Sequence, residues 1–220
     1  MTTSLKIDFV SDISCPWCAI GLAALEQALA QTQGEVSAEL HFQPFELNPQ
    51  MPSGGQDIGE HLTQKYGSTL EQQAQIRATI AQRGLDVGFS FNVAGRGRIY
   101  NTFNAHRLLH WAGLEAPGKQ TALKKALLAA CHSLGQSVES HAVLLDAAER
   151  AGLDRVRAQT ILESDEYAAE VRERQAFYNG HGINSVPAVI INDRHLISGG
   201  QPVAVFEQAL RQIAAEQVAT

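Results

Sequence analysis

The stretch "KIDFVSDISCPWCAIG" (residues 6–21) constrains this chain most, because it sets Cys15 and Cys18 at the junction of two expected elements. Lys6 to Val10 is short, apolar and alternating, which predicts a strand. Cys18, Leu22, Leu25 and Leu29 then recur at helical spacing, so a helix is expected from near Pro16 to just before Gly34. Proline suits the first helical position, where its missing N–H has no partner anyway and its fixed φ fits the helix. Cys15 then caps that helix, with the unpaired N–H groups of the first turn aimed at its sulfur. This favours the thiolate and lowers the pKa from the free value of about 8.5. Cys18, one turn on and facing the core, is expected to be more buried and to keep its proton. The asymmetry assigns attack to Cys15 and resolution of a mixed disulfide to Cys18.

Two close cysteines have two other uses. A structural zinc site needs about four ligands, but there is no second close cysteine pair and the histidines are scattered. No metal is therefore expected. Two inert buried thiols are the bland alternative, and the strand–CxxC–helix context argues against them. Three cysteines in 220 residues are too few for a disulfide-stapled secreted fold, and an odd number excludes full intramolecular pairing. The net charge of −6 and the absence of a long basic run disfavour nucleic-acid and anionic-membrane partners. "MTTSLKIDFVSD" lacks the basic start and long apolar centre of a signal peptide. No apolar stretch approaches the roughly 20 residues that cross a bilayer. A soluble, cytoplasmic protein is expected. Its 45% hydrophobic content is ample for the core of one or two domains.

The rest of the chain divides by pattern. "SAELHFQPFEL" (Ser37 to Leu47) predicts a second strand, with Leu40 and Phe42 on one face and Pro44 at its end or edge. A Pro/Gly loop follows, Asn48 to Asp57. Helices are then expected over about 57–66, 69–83, 101–112, 118–134, 140–151, 154–163 and 165–179. Their expected stops are Gly67, Gly84, Gly113, Gly135, Gly152 and Gly180. Residues 84–100 read as an irregular loop. Strand character returns at Val186 to Asn192 and His195 to Ser198, joined as a hairpin by "NDR". A last helix has Pro202 at an early helical position and a stripe of Phe206, Ala209, Leu210 and Ile213. The two ends thus form one α/β sheet unit, residues 1–50 with 181–220. Residues 51–180 form a helical insertion.

Five stretches carry a family resemblance: "SDISCPWCAIG", "FQPFELNPQMP", "YNTFNAHRLLHWA", "GINSVPAVIIN" and "ISGGQ". Together, from Ser11 to Gln201, they resemble the DsbA family of thiol–disulfide oxidoreductases, and within it the cytoplasmic FrnE-like branch. The resemblance implies a thioredoxin fold with a large inserted all-helical domain, and disulfide exchange at the CxxC. It implies no cofactor beyond the redox-active Cys15–Cys18 pair. The partner would be a thiol or disulfide substrate, such as a peptide or glutathione as co-substrate. It also makes Pro187 in "SVPAV" the cis-proline that faces the CxxC, where an ordinary trans proline would merely start a strand. The backbone of Val186 would then face the active site and pair with an extended substrate.

Other positions carry further readings, Asp8 and the groove role of Asn101 and His106 from the resemblance and the rest from local chemistry. Asp8 matches an acid under the CxxC that shuttles the Cys18 proton, against a plain solvent-facing reading. Trp17, between the cysteines, is expected to be exposed and to touch substrate. Asn101 and His106 are expected to line the substrate groove. His106 and His110 have metal-compatible spacing but no third ligand. Asp12 reads as a turn former whose charge opposes the Cys15 thiolate. Cys131 reads as a core thiol with nothing basic adjoining it but His132, and "GRGR" (Gly95 to Arg98) as a mobile loop.

Two rival functions stay open. Relatives of the fold include glutathione-dependent isomerases of hydroxychromene carboxylates and kappa-type glutathione transferases. These commonly use a serine where this chain has Cys15, so the intact cysteine pair argues against them. The other rival is a non-catalytic partner-binding module.

Overall fold

The computed structural model describes residues 2–92 and 95–218. The loop expected over 84–100 therefore falls partly outside the described residues, at positions 93 and 94. Strand β1 (Thr3–Ser11) leads into helix α1 (Pro16–Gln31) and strand β2 (Val36–Pro44). β2 pairs with β1 in parallel, in continuous register from Thr3 opposite Val36 to Ser11 opposite Pro44. Near the other end of the chain, two strands and a helix complete the layer: β5 (Ala188–Ile191), β6 (His195–Ser198) and α9 (Val203–Val218). The sheet order is β2-β1-β5-β6, with β5 antiparallel to both neighbours. The β5–β6 hairpin turns through Asn192 and Asp193, both in the left-handed region at φ 54° and 55°, which asparagine and aspartate tolerate.

The alternation of β1 separates its two faces. Leu5, Ile7 and Phe9 pack against α1 and α9, with Cys18, Leu22, Leu25, Phe206 and Leu210. Val10 faces the other way, into a cluster with Phe45, Tyr178, Ile183 and Ala188. α1 is buried on nearly all sides, including Ala19, Ile20 and Ala24. That explains a helix with so little polar surface.

Between β2 and β5, seven helices run among the described residues: α2 (Ile58–Tyr66), α3 (Leu70–Asp86), α4 (Phe103–Glu115), α5 (Pro117–His132), α6 (His141–Arg150), α7 (Arg155–Leu162) and α8 (Ala168–Gly180). The same segment also holds a short ladder of β3 (Gln56–Asp57) and β4 (Arg98–Ile99), which the periodicity does not predict. Most of these helices share a second core around Leu108, Leu123, Leu127, Leu144 and Ile161. Some residues cross over between these two cores. Val87 and Leu128 enter the sheet's core, and Ile13 enters the helical one.

Several expected stops are moved. α3 runs through Gly84, where a Cβ would lie 2.5 Å from the Phe89 carbonyl oxygen and 2.6 Å from the Phe91 ring. α4 runs through Gly113, where a Cβ would lie 2.5 Å from Gln120 Nε2. These two glycines answer close packing and end nothing. α8 includes Gly180, and the left-handed residue beyond it is Gly182. Pro202 sits one residue ahead of α9, and its carbonyl accepts the Phe206 N–H.

Candidate active site

The loop from β1 to α1 is held at three places. The Asp12 carboxylate accepts the Ser14 N–H on Oδ1 (3.1 Å), and the Ser14 hydroxyl (3.0 Å) and Leu47 N–H (2.7 Å) on Oδ2. His106 Nε2 stands 3.6 Å from Asp12 Oδ1, an ion-pair separation just beyond hydrogen-bond range. The Ile13 side chain is buried in the helical core, and its carbonyl accepts the Nε2–H of His132 at 2.9 Å. Burial pushes the Asp12 carboxyl up, but His106 and the Leu47 and Ser14 N–H groups outweigh it and hold the group well below the usual range. Burial pushes His132 down to about 3, so its ring is neutral and serves as a donor.

This loop delivers Cys15 to the N-cap of α1 in an extended conformation, φ −87° and ψ 114°, with Pro16 next. The Cys15 thiol points at the Val186 carbonyl oxygen, 3.6 Å away. The Val186–Pro187 peptide bond is cis. Pro187 packs on α1 at Gly21, where a Cβ would come within 3.1 Å of the ring. All three cysteines are free thiols.

The two thiols of the pair differ. The hydrogen bond from the Cys18 thiol does most to draw the Cys15 pKa down; burial opposes it, the Cys18 and Trp17 N–H groups reinforce it, and the Asp12 charge opposes it. Burial first, and then the neighbouring Cys15, push Cys18 well above the ordinary thiol value. First-turn N–H groups contribute to the acidity of Cys15, as helix-end geometry requires, but the Cys18 thiol contributes more. A cleft of about 330 Å³ opens beside Pro16, lined among others by Ile58, Arg77, Ile80, Phe91 and His132.

Known proteins match this chain along nearly its whole length. The model of the DSBA-like thioredoxin domain matches residues 6–211. The chain belongs to that family. A solved structure described as "probable DsbA oxidoreductase SCO1869" from Streptomyces coelicolor is 32% identical, with a TM-score of 0.86 over 96% of this chain and 91% of that one. The uncharacterized protein YwbO of Bacillus subtilis (strain 168) is 29% identical over 96% of each chain. The cytosolic disulfide reductase DsbM from Pseudomonas aeruginosa, solved with GSH, shares the fold at a TM-score of 0.63 and 15% identity, over 98% of this chain and 100% of that one.

In this DSBA-like chain several expected site residues stand elsewhere. Asp8 is buried, but it is on the sheet face opposite Cys18. Its carboxylate accepts from Gln43 Nε2 (2.6 Å) and pairs with Lys6 Nζ (3.1 Å). The alternation of β1 turns it away from the thiols. Trp17 is half-buried against the sheet's core, where an exposed ring was expected. Its carbonyl lies so close to Gly200 that a Cβ there would come within 2.9 Å. Asn101 accepts the Phe103 N–H (2.9 Å) in a turn just ahead of α4, whose N-cap is Thr102. His106 is only 2% exposed and faces Asp12, so it is no wall of an open groove. His110 packs on Tyr167, ring centroids 5.5 Å apart, and so has turned to a different partner from His106. Cys131 lies in the helical core, but a second basic group adjoins it: Arg96 Nη1 donates to its sulfur at 3.3 Å. The "GRGR" arginines are both engaged, since Arg98 donates to the Gly54 and Gly55 carbonyls.

Three residues from α5 stand around the site with no site role in the sequence-based expectations: Gln120, Lys124 and His132. Gln120 ties α5 to β2 by accepting the Phe42 N–H (3.2 Å) and donating to the Leu109 carbonyl (2.9 Å). Lys124 is 0% exposed, with Nζ 5.9 Å over the Phe42 ring. The available signal was Gln120, Lys124 and Leu128 at steps of four, one helical stripe shared by polar and apolar residues.

Proposed function

We propose that this chain is a cytoplasmic thiol–disulfide oxidoreductase of the FrnE-like branch, working through Cys15 and Cys18. In this reading residues 1–50 and 181–220 carry the exchange chemistry, and the inserted residues 51–180 supply groups around it. The observation that carries the reading is the unequal pair: an acidified Cys15 thiol at a helix N-cap, backed by a buried Cys18 that keeps its proton.

The chemistry runs in two exchanges. The Cys15 thiolate attacks one sulfur of a substrate disulfide, forms a mixed disulfide and expels the first substrate thiolate. Cys18 then loses its proton and attacks Cys15 Sγ. The Cys15–Cys18 bond forms and the second substrate thiolate leaves. Two electrons have moved from the enzyme to the substrate, and the reverse sequence oxidises a substrate dithiol. The Val186 carbonyl, against Cys15, suits pairing with an extended peptide backbone. Arg77 at the neighbouring cleft is exposed and forms no ion pair among the described residues. It suits a carboxylate-bearing thiol, such as glutathione or an acidic peptide.

Cys18→Ser is expected to trap a mixed disulfide on Cys15, visible by mass spectrometry and released by dithiothreitol. A wild-type protein with no dithiol redox transition, together with a variant that forms no adduct, refutes the reading. A Cys15→Ser variant that keeps full glutathione-dependent turnover would favour an isomerase or transferase instead.

A further inference from the structure

We propose that Lys124 exchanges the proton of Cys18, taking it when Cys18 resolves a mixed disulfide and returning it in the reverse reaction. The proposal rests on the thiol–disulfide reading above and assigns the step that reading leaves without a base. Cys18 and Lys124 are each 0% exposed, so water does not reach either. The carboxylate expected under the pair, Asp8, faces away and is spent on Gln43 and Lys6.

The surroundings of Lys124 are unusual for a lysine. Its Nζ has no hydrogen-bond partner among the described residues. Lysine is almost never fully buried unless paired, and an unpaired buried charge costs several kcal/mol or is neutralised. A purely structural position on this stripe would be filled as well by leucine or methionine. Gln120 one turn before is anchored to β2, and Leu128 one turn after enters the sheet's core, so α5 aims Lys124 into the Cys18 side of the fold. The titratable groups near enough to act on its charge, or to feel it, are Cys18, Asp12, Cys15 and His132. β2 presents Phe42 to it and turns His41 to the Asp8 face. Burial pushes the amine down to about 8, partly offset by Cys18, then Asp12 and Cys15. It is thus poised to gain or lose a proton near neutrality.

The step balances. With Cys15 Sγ bonded to a substrate sulfur, the neutral Lys124 amine takes the Cys18 thiol proton and becomes an ammonium. The Cys18 thiolate attacks Cys15 Sγ, the Cys15–substrate S–S bond breaks, and the substrate leaves as thiolate. In reverse, a substrate thiolate attacks Cys15 of the oxidised pair, and the departing Cys18 thiolate is protonated by the ammonium. Lys124 Nζ makes no hydrogen bond to Cys18 in the reduced fold, and its flexible four-carbon stem supplies the approach once the mixed disulfide forms.

The test compares wild type with Lys124→Met in full-length protein. Replacing an unpartnered buried amine with an apolar side chain of similar length is expected to leave folding intact. A mixed disulfide preformed on Cys15 with glutathione is followed by the release of reduced glutathione across pH 5–10. At pH 7 the variant is expected to resolve the adduct about 10²-fold more slowly, the scale of general base catalysis. Its rate should climb with pH along the titration of an unassisted buried thiol. Cys15 alkylation should change less than about threefold, which separates a lost base from a disturbed nucleophile. Titration of the Cys18 ¹³Cβ resonance gives a second readout, expected to move to higher pH in the variant. An unchanged resolution rate and an unchanged Cys18 titration overturn the role of Lys124 while leaving the oxidoreductase reading intact. A wild-type protein that forms no adduct and shows no dithiol transition overturns both.

Discussion

Asp12→Asn sets stability against reactivity. The wild-type carboxylate is 1% exposed and receives three hydrogen bonds, from the Ser14 N–H, the Ser14 hydroxyl and the Leu47 N–H, with His106 at 3.6 Å. Asparagine has nearly the same shape, so no cavity forms, but it brings one acceptor oxygen. If that oxygen serves Leu47, the amide NH₂ meets the Ser14 N–H donor to donor. Charge-assisted bonds contribute about 1.5–3 kcal/mol and a stranded buried donor costs about 1–3 kcal/mol, so the variant is expected to lose about 3 kcal/mol. The pH dependence has a definite sign. Asp12 is depressed in the fold, so its contribution is present above the unfolded pKa of about 3.9 and is lost as pH falls through the folded value. The gap between variant and wild type is therefore full at pH 7 and narrows below about pH 4. The Asp12 charge also raises the Cys15 pKa, so its removal should shift Cys15 alkylation toward lower pH. Urea unfolding of the reduced proteins and iodoacetamide pH–rate profiles read both effects. A less stable fold with a more acidic thiol is the expected pair of results. An unchanged urea midpoint at pH 7, or a profile displaced to higher pH, refutes the reasoning.

His132→Gln tests the support from the other side of the loop. The folded ring titrates near 3 against about 6.5 unfolded, so between those values the unfolded chain binds a proton the fold does not. Wild-type stability should fall with falling pH there, by up to about 1.4 kcal/mol per unit from this group, and the slope should flatten in the variant when urea midpoints are compared. Gly200→Ala places a Cβ 2.9 Å from the Trp17 carbonyl and should lose about 1–3 kcal/mol by overpacking. Gly180→Ala, whose Cβ meets nothing within 4 Å, is the control and should lose no stability in the same denaturation.

Local pattern explains what was legible in the residues. The alternation of Lys6 to Val10, the proline behind Cys15 and the Asn192–Asp193 turn each act over a few neighbours. Each appears in the structure close to where periodicity and turn chemistry put it. The glycines show where such rules stop. Gly67 ends a helix in the left-handed conformation. Gly84 and Gly113 look identical in sequence, but their helices run through them, and Phe89, Phe91 and Gln120 fill the space a Cβ would need.

The sequence by itself determined the strand, the capped helix and the cysteine pair, because those depend on residues next to one another. It also carried the family, through motifs spread over the chain. Only the tertiary structure decided which groups surround the thiols. Asp8 is close to Cys15 in sequence, yet the two-residue period of the strand turns it to the far face. His132 and Lys124 are more than a hundred residues downstream, yet α5 packs them against the loop and the sheet's core. Burial and charge at a thiol act through space, and the distance along the chain does not record them.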